Sequence, residues 1–273
     1  MVDFEYKRNY DINDFRNIIA ILRGENGCPW DREQNHASIR RNLLEEAYEV
    51  CEAIDEGDPE HLREELGDLL MQVIFHARIE EEAGRFNLDD VADGACKKLI
   101  NRHPHVFGDL EVEDSRQVLQ NWDKIKRVEK SQKTTASAMN DVARSLPALW
   151  RSEKMQSKAR KVGFDWPDIS GALDKLREEL SELQEAIASG DKQSIFEELG
   201  DLLFSVVNVG RFAGVNPEAA LHQACEKFLR RFRYIEEEAA RRGFELSSMS
   251  LDQMEELYQQ GRKALEGKDS SIN

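Results

Sequence analysis

The chain has 273 residues, of which 40% are hydrophobic and 34% charged, and its formal net charge at pH 7 is −16. So acidic a surface argues against sequence-independent binding to DNA or RNA, which needs a basic face to displace counterions. No apolar run approaches the roughly 20 residues of a membrane helix, and residues 1–7 contain no apolar signal core. The four cysteines form no Cys-x-x-Cys pair, which favours reduced thiols. We therefore expect a cytoplasmic protein that binds neither nucleic acid nor membrane.

The predicted elements are helices, and the first strongly periodic one spans about residues 42–54. Its apolar side chains recur at 3.6-residue spacing on one face. The helical pattern ends at residues 57–59, Gly-Asp-Pro. Aspartate is a common N-cap and proline suits the first helical turn, so the next helix is expected to begin there. A second helix is predicted at about residues 59–83. After Asp68 this helix is apolar nearly all round, which predicts burial on several sides, either inside a bundle or against another subunit.

The second half of the chain repeats this pattern. A helix is predicted at about residues 173–188, a break follows at Gly190, and another helix begins after it. Between the halves, a polar segment without large apolar side chains is typical of a linker. The sequence therefore predicts an all-α fold of two tandem helical bundle domains that arose by internal duplication. The predicted domains are 1–130 and 139–273, with the linker at 131–138.

Acidic side chains recur in a fixed pattern on the paired helices of both halves. Two Glu-x-x-acid pairs stand on successive helices of the first half, and each acid has a counterpart 133 residues later. The eight residues are Glu46, Glu49, Glu65 and Asp68, then Glu179, Glu182, Glu198 and Asp201. Residues three apart share a helix surface, so packing the apolar faces together brings four carboxylates to one edge of the core. Such a cluster repels itself unless cations neutralise it, and oxygen ligands favour Mg²⁺, with Mn²⁺ as a substitute.

Other interpretations of these acids stay open. A single Glu-x-x-Glu pair is usually a solvated helix face, although duplication at a constant offset favours a site. A ferritin-like di-iron centre needs Glu-x-x-His, whereas the last residue of each motif here is Glu or Asp. Glycine inside a helix costs about 1 kcal/mol relative to alanine, so we expect Gly67 and Gly200 to permit close helix packing beside the acids. The six histidines form no His-x-x-x-His pair, and we expect structural or surface roles for them.

Cations and aromatic residues form a second recurring pattern. Each half carries a Lys-x-x-x-Arg pair and, farther on, an aromatic residue one turn before a cation. These residues are Lys98, Arg102, Trp122 and Lys126 in the first half, and Lys227, Arg231, Tyr258 and Arg262 in the second. Beside a metal–carboxylate site the cations suit phosphate oxygens and the rings suit a base, whereas a solvated basic face and core packing are the alternatives. Trp30 and Trp166 precede the acidic helices, where each either covers one side of a pocket or has a structural role.

Six segments carry a family resemblance that extends from about residue 21 to residue 263. They are Cys28-Pro29-Trp30-Asp31, Glu45-Glu46-Ala47-Tyr48-Glu49, Glu64-Glu65-Leu66-Gly67-Asp68, Arg102-His103-Pro104-His105, Lys161-Val162-Gly163-Phe164-Asp165-Trp166 and Lys227-Phe228-Leu229-Arg230-Arg231-Phe232. In this order they resemble the MazG family of nucleoside triphosphate pyrophosphohydrolases. The resemblance implies an all-α fold related to dimeric dUTPases, a homodimer, and Mg²⁺-dependent hydrolysis of NTPs or dNTPs to the monophosphate and pyrophosphate. It also implies a house-cleaning role against non-standard nucleotides.

The resemblance also implies roles for individual residues. By motif position the eight acids become metal ligands, and the cations and aromatic residues of the second pattern hold the triphosphate and base. Tyr258 stands where the family pattern often has tryptophan, which predicts weaker base stacking there.

The mechanism expected from this site is in-line attack of water on the α-phosphorus, with pyrophosphate leaving. Four glutamates, each just before a ligand position, are candidates for the base that orients the water, namely Glu45, Glu64, Glu178 and Glu197. A nucleotide- or metal-binding regulatory module without turnover is the alternative function. A helical scaffold whose acids only confer solubility is a third.

Overall fold

The structure, a computed structural model, describes residues 4–129 and 134–269. Within these two ranges every regular element is a helix and no β-strand occurs, which confirms the predicted all-α fold. In chain order the α-helices are α1 (Ile12–Arg23), α2 (Pro29–Glu33), α3 (Arg40–Glu56), α4 (Pro59–Glu82), α5 (Leu88–Arg102), α6 (Pro104–Phe107), α7 (Ser115–Glu129), α8 (Thr135–Asn140), α9 (Ala148–Arg160), α10 (Ile169–Ser189), α11 (Lys192–Ala213), α12 (Pro217–Arg241) and α13 (Leu251–Asp269). A short 3₁₀ helix, Leu246–Ser248, lies between α12 and α13.

Side-chain caps and glycines fix the ends of the helices that carry the acids. The Asp58 carboxylate caps α4 by accepting hydrogen bonds from two backbone N–H groups of its first turn, and Pro59 occupies the first helical position. Gly57 ends α3 with a left-handed φ of 70°, and Gly190 ends α10 with a φ of 74°. Glycine adopts this conformation without the steric cost that a side chain imposes. The breaks predicted between the paired helices are therefore confirmed.

The chain divides into two compact units, residues 1–126 and 127–273. Unit 1 contains α1–α6 and most of α7, and unit 2 contains α8–α13. The predicted linker at 131–138 lies partly outside the described residues. The predicted boundaries of the two domains on either side of it stay a prediction. Within the predicted linker, α8 begins at Thr135, and the Thr134 hydroxyl accepts a backbone hydrogen bond from the first turn of this helix. A polar segment rich in hydroxyl groups also suits a helix start, which composition alone does not distinguish.

In unit 1, α3 and α4 form the hairpin that carries the acids. Only two residues connect these helices, so they run antiparallel and pack along each other. Helices α1 and α5 also contact α4. Ile19 of α1 and Ile74 of α4 are 2% and 1% exposed and form a core with Ile39 and Phe75. Burial of each such side chain contributes roughly 2 kcal/mol, so this core holds α4 in place under the acidic residues.

Unit 2 repeats the hairpin with α10 and α11, again joined by two residues. Helices α9 and α12 contact α11, and α13 packs along α12. Val207 of α11, Ile235 of α12 and Leu257 of α13 are almost fully buried among these helices. None of the helices in the described ranges combines the length and the apolar character that a bilayer span requires.

Candidate metal and nucleotide site

The acids of the α3–α4 hairpin meet in space. One carboxylate oxygen from each of Glu46, Glu49 and Glu65 lies within 4.8 Å of the other two. Glu46 and Glu49 are one turn apart on α3, and Glu65 approaches them from α4 because the two helices pack side by side. All three residues are partly buried, so water screens their mutual repulsion less than it would at an open surface.

Asp68, the predicted fourth ligand, is not part of this group of three but acts on it electrostatically. Loss of solvation raises the pKa of Glu46 most, followed by the negative charges of Asp68 and Glu49. Gln72 offsets part of this by donating its Nε2 hydrogen to Oε1 of Glu46 at 3.4 Å. The unit 1 group thus retains repulsion that a bound cation would remove.

His61 lies beside the same group. Its Nε2 atom is 3.2 Å from Oε1 of Glu65, and its Nδ1 atom is 2.8 Å from Oε2 of Glu56. The hydrogen bond to Glu56 is the largest cause of the raised pKa of His61, and the charges of Glu56 and Glu65 raise it further. Protonated His61 therefore supplies partial neutralisation of Glu65.

Unit 2 builds the same group from α10 and α11. One carboxylate oxygen from each of Glu179, Glu182 and Glu198 lies within 4.8 Å of the other two. Glu179 is only 5% exposed, whereas Glu182 faces solvent. Loss of solvation and the charge of Glu179 raise the pKa of Glu182, and the charge of Glu198 adds to the effect. Asp201, the predicted fourth ligand, is exposed and is not part of the group of three.

Lys175 provides unit 2 with a counterion at a position where unit 1 has an uncharged residue. Its Nζ atom lies 2.7 Å from Oε1 of Glu179 and 2.7 Å from Oε1 of Glu178, which raises the pKa of Lys175 far above its usual range. The position 133 residues earlier is Asn42, which carries no charge. The sequence analysis missed this residue, although a lysine one turn before a glutamate on a helix is a recognisable ion-pair spacing.

Both groups fit a hard divalent cation. Magnesium takes oxygen ligands at about 2.0–2.1 Å, which puts oxygens on opposite sides of the ion about 4 Å apart. The 4.8 Å limit on the oxygen separations is close to that span. Each group consists of carboxylates without histidine or cysteine, which favours Mg²⁺ or Mn²⁺ over zinc or iron. The predicted convergence thus holds for three acids of each quartet, and ligation by all four stays a prediction.

The predicted water-orienting glutamates lie outside the two groups. All four, Glu45, Glu64, Glu178 and Glu197, are exposed. Consecutive helical residues point about 100° apart, so each of these side chains projects away from the ligand position next to it. Glu178 pairs with Lys175, and Glu197 accepts a hydrogen bond from Gln193 at 2.7 Å. Their catalytic role stays a prediction.

The predicted substrate-binding cations pair with the predicted aromatic residues. In unit 1, Cζ of Arg102 lies 5.5 Å and Nζ of Lys126 lies 4.8 Å from the Trp122 ring centroid. In unit 2, Cζ of Arg231 lies 5.4 Å from the Tyr258 ring centroid, and its Nη1 donates to the Tyr258 hydroxyl at 3.3 Å. Cations over ring faces attract the ring quadrupole, which holds the guanidinium groups in place.

The other three predicted cations, Lys98, Lys227 and Arg262, are all exposed. Exposure leaves them accessible to a phosphate, and their role stays a prediction. Trp30 is 60% exposed. Trp166 is 45% exposed and packs against Gly171, where an added Cβ would lie 2.8 Å from the indole ring. Trp166 also lines a cavity of about 400 Å³ in unit 2, so a structural and a binding role are both compatible with its position.

One interpretation needs correction. Gly67 and Gly200 do not permit close packing, because a Cβ added at either would meet nothing outside its own helix within 4 Å in the described part of the chain. The structural role expected for the histidines agrees with the structure, which also brings Nδ1 of His36 to 2.7 Å from Nδ1 of His76. Sequence spacing could not find this pair, because the two residues are 40 positions apart and meet only in the fold.

The histidine pair belongs to a small polar network in unit 1. The rings of His36 and His76 are parallel within 8° and their centroids are 5.0 Å apart, so the rings meet edge to edge through their Nδ1 atoms. Nε2 of His36 lies 2.5 Å from Oε1 of Glu80, which also accepts from Nη2 of Arg85 at 2.7 Å. These partners lower the pKa of Glu80 to about 2, with the Arg85 hydrogen bond as the largest cause. The network connects the segment before α3 to α4 and supports a structural role.

The fold and the two acidic groups together define a duplicated all-α protein with candidate sites for divalent metal ions. Comparison with known families gives the same result. The model of the MazG nucleotide pyrophosphohydrolase domain matches residues 34–107 and, again, residues 170–235. The chain therefore belongs to the MazG nucleotide pyrophosphohydrolase family, and the family resemblance recognised in its motifs is confirmed.

Individual relatives extend the similarity over most of the chain. It is 47% identical over 258 residues to the nucleoside triphosphate pyrophosphohydrolase of Escherichia coli K12, covering 92% of this chain and 98% of that protein. It is 42% identical over 251 residues to the nucleoside triphosphate pyrophosphohydrolase/pyrophosphatase MazG of Thermotoga maritima, covering 91% and 95%. It is also 46% identical over 255 residues to the uncharacterized protein YabN of Bacillus subtilis, covering 93% of this chain and 52% of that protein.

Proposed function

We propose that this protein hydrolyses nucleoside triphosphates, with ribose or deoxyribose, to the monophosphate and pyrophosphate, and that it uses Mg²⁺, which Mn²⁺ can replace. The observation that carries the proposal is the duplicated group of three carboxylates whose oxygens lie within 4.8 Å of one another. Membership of the MazG family and the names of the Escherichia coli and Thermotoga maritima relatives support the reaction type.

The chain's own residues account for binding and for proton transfer in this reaction. The eight acids, Glu46, Glu49, Glu65, Asp68, Glu179, Glu182, Glu198 and Asp201, are the proposed metal ligands. Mg²⁺ held by these acids would offset the negative charge of the phosphate oxygens and lower the pKa of a bound water. The water oxygen forms a bond to the α-phosphorus, and the bond from that phosphorus to its bridging oxygen breaks, with the electron pair leaving on pyrophosphate. A nearby glutamate accepts the water's proton.

Four cations of the second recurring pattern are proposed to stabilise the charge that develops on the leaving group. Lys98 and Arg102 would serve unit 1, and Lys227 and Arg231 would serve unit 2. Arg231 is already held by the Tyr258 ring and hydroxyl, so less side-chain freedom is lost when it binds phosphate. Trp122 and Tyr258 offer the ring faces on which a base could stack, in competition with the cations that now lie over them.

A homodimer is part of the proposal, because each acidic hairpin leaves an apolar stripe uncovered. On α11, Leu199, Leu203 and Val206 are each about 45% exposed. Their counterparts on α4, at the same 133-residue offset, are 49%, 38% and 38% exposed. Positions i, i+4 and i+7 share one helix face, so a second copy of the chain could cover each stripe as a unit. The predicted burial of α4 on several sides is thus not achieved within the chain.

The proposed biological role is house-cleaning of non-standard nucleotides in the cytoplasm. All four cysteines are free thiols, and three of them are exposed, as expected for a protein in a reducing compartment. Hydrolysis to the monophosphate would remove an altered nucleotide from the pool that polymerases use.

A product assay tests the proposal. The protein is incubated with NTPs and dNTPs in Mg²⁺, and nucleotides and phosphates are resolved. Monophosphate and pyrophosphate in equal amounts are expected, whereas diphosphate with orthophosphate would reject attack at the α-phosphorus. Tight triphosphate binding without any product would favour the regulatory module instead. The matched variants Glu49→Gln and Glu182→Gln assign activity to unit 1, unit 2 or both, because each removes one ligand from a single group.

A further inference from the structure

The two acidic groups hold the same carboxylate position with different partners. This position is Glu46 in unit 1 and Glu179, 133 residues later, in unit 2. In unit 1 the partner is Gln72, whose neutral amide donates from Nε2 to Oε1 of Glu46 at 3.4 Å. In unit 2 the partner is Lys175, whose Nζ atom lies 2.7 Å from Oε1 of Glu179. The unit 2 group therefore has a positive charge beside it that the partner in unit 1 does not supply.

Neither partner has an equivalent in the other unit. The residue 133 positions after Gln72 is Ser205, and the residue 133 positions before Lys175 is Asn42. Asn42 stands four residues before Glu46, the same spacing that Lys175 has to its glutamate, and this spacing puts the two side chains on one helix face. The Asn42 side chain carries no charge and makes no hydrogen bond to another described residue. The two hairpins thus share their acids but differ by one charge beside them.

His61 is the side chain that could supply a positive charge to unit 1 instead. Its Nε2 atom lies 3.2 Å from Oε1 of Glu65, but its shorter contact, 2.8 Å from Nδ1, is with Glu56, which is not part of the group. Among the described residues no lysine or arginine forms an ion pair with Glu46, Glu49 or Glu65. Imidazole has an ordinary pKa of about 6.5 and a lysine amine one of about 10.4, so the lysine is the more permanent charge.

A positive charge next to a group of carboxylates lowers the affinity of the group for a metal ion. The affinity of an oxygen site for a hard cation depends on how many charged ligands it has. The ammonium group of Lys175 offsets one of these charges and repels the incoming ion. Glu179 is only 5% exposed, so solvent screens this interaction little. An ion that enters unit 2 has to displace a cation from its ligand, whereas an ion that enters unit 1 displaces a neutral amide.

We propose that the two acidic groups bind divalent cations with different affinities, so that unit 1 fills first and Lys175 delays the filling of unit 2 to higher metal concentrations. The proposal rests on the proposed use of Mg²⁺ in hydrolysis and adds to it a difference between the duplicated sites. Unit 1 is then the resident metal site of the protein, and unit 2 is the site that responds to metal concentration. Duplication alone would give two equal sites.

Titration with Mn²⁺, which the same oxygen ligands accept, tests this order. Free Mn²⁺ gives a sharp electron paramagnetic resonance signal that broadens on binding, so the titration counts bound ions per chain. For the wild type we expect two steps whose dissociation constants differ roughly tenfold, because the extra charge is close to its ligand but partly screened. Glu49→Gln should weaken the tight step, and Glu182→Gln should weaken the other. Two equal sites in the wild type, or weakening of the tight step by Glu182→Gln, would overturn the proposal.

Exchange of the counterpart residues supplies matched variants. Lys175→Asn should tighten the weaker step roughly tenfold, and Asn42→Lys should loosen the tighter step by a similar factor. Asn42→Lys removes no hydrogen bond to another described residue, so it tests the proposal even where Lys175→Asn does not fold. Lys192→Asn, which removes an exposed lysine of unit 2 that forms no ion pair with a described residue, should change neither step. Unchanged affinity in a folded Asn42→Lys protein would contradict the proposal.

Two further results separate this inference from the proposed function. His61→Gln removes any charge of the imidazole and should leave unit 1 as the tighter site, so a reversed order in this variant would count against the proposal. No Mn²⁺ binding by either unit would reject the proposed use of metal ions, and with it the order of filling. Two equal sites together with normal release of pyrophosphate would reject the order alone.

Discussion

Replacement of Glu46 by glutamine should stabilise the metal-free protein and weaken its response to Mg²⁺. The carboxylate oxygens of Glu46, Glu49 and Glu65 lie within 4.8 Å of one another. Two unit charges at that distance repel by about 0.9 kcal/mol in water and about 3.5 kcal/mol at an effective dielectric constant of 20. Glutamine keeps the oxygen that accepts the hydrogen bond from Gln72, so the variant removes charge without leaving a buried donor unpaired.

The expected gain is at the lower end of that range. Glu46 is partly exposed, so solvent screens much of the repulsion from its two neighbours. We expect the free energy of unfolding in EDTA to rise by about 1–2 kcal/mol, which corresponds to about 2–4 °C in Tm for a chain of this length. In saturating Mg²⁺ the wild type should be the more stable of the two proteins, because it gains the binding energy of the metal whereas the variant has lost a ligand.

Acidity provides an internal check on the cause. Because the folded pKa of Glu46 is raised, its repulsion is fully present at neutral pH and disappears as the pH falls through that raised pKa. The advantage of the variant in EDTA should therefore shrink between pH 7 and pH 4. Glu52→Gln, an exposed acid on the same helix, should change neither the EDTA value nor the Mg²⁺ response. Scanning calorimetry measures all of these, and a Glu46→Gln protein that is less stable in EDTA would refute the reasoning.

Three further substitutions test other parts of the structure. Lys175→Met should destabilise the metal-free protein and enlarge its stabilisation by Mg²⁺, because the 5%-exposed Glu179 loses its counterion. Thermal shifts with and without EDTA measure both effects, and an unchanged Mg²⁺ shift would contradict this prediction. Gly200→Ala should raise the free energy of unfolding by about 1 kcal/mol in chemical denaturation, because alanine has the higher helix propensity and its added Cβ meets no described residue outside the helix within 4 Å. A lower free energy of unfolding would mean that another molecule approaches the helix there. Glu80→Gln should remove stability that the wild type retains above pH 4.5 and loses as the pH falls towards 2, because the folded pKa of Glu80 is about 2. Circular dichroism during acid titration follows the loss of helix, and coincident curves for the variant and the wild type would argue against a stabilising role of the network.

The duplicated hairpins could be predicted from sequence because their signals are local. Helical spacing, the Asp58 cap and the glycines at the helix ends act within a few residues, and all of them appear in the structure. The convergence of Glu46, Glu49 and Glu65 was also predictable, since a two-residue connection leaves the helices little choice but to pack antiparallel.

Features that depend on contacts between distant segments were not predictable in this way. Gly67 and Gly200 were expected to make room for a neighbouring helix, but no other helix among the described residues comes within 4 Å of a Cβ added at either position. Gln156 donates from Nε2 to the carbonyl oxygen of Phe204, 48 residues further on, and nothing local indicates this hydrogen bond. The contacts of such groups depend on how whole helices pack, which local sequence does not specify.

The edge-to-edge imidazoles of unit 1 have a consequence for how the protein tolerates acid. Nδ1 of His36 and Nδ1 of His76 can share one hydrogen, so a second one would set two N–H groups against each other and push the rings apart. Burial, and then the charge of His36, lower the pKa of His76, so this event comes only below its ordinary range near pH 6.5. Glu80 is still ionised there, since its own pKa is about 2. Acidification would thus weaken the contact between the two rings, while the hydrogen bond between His36 and the ionised Glu80 remains.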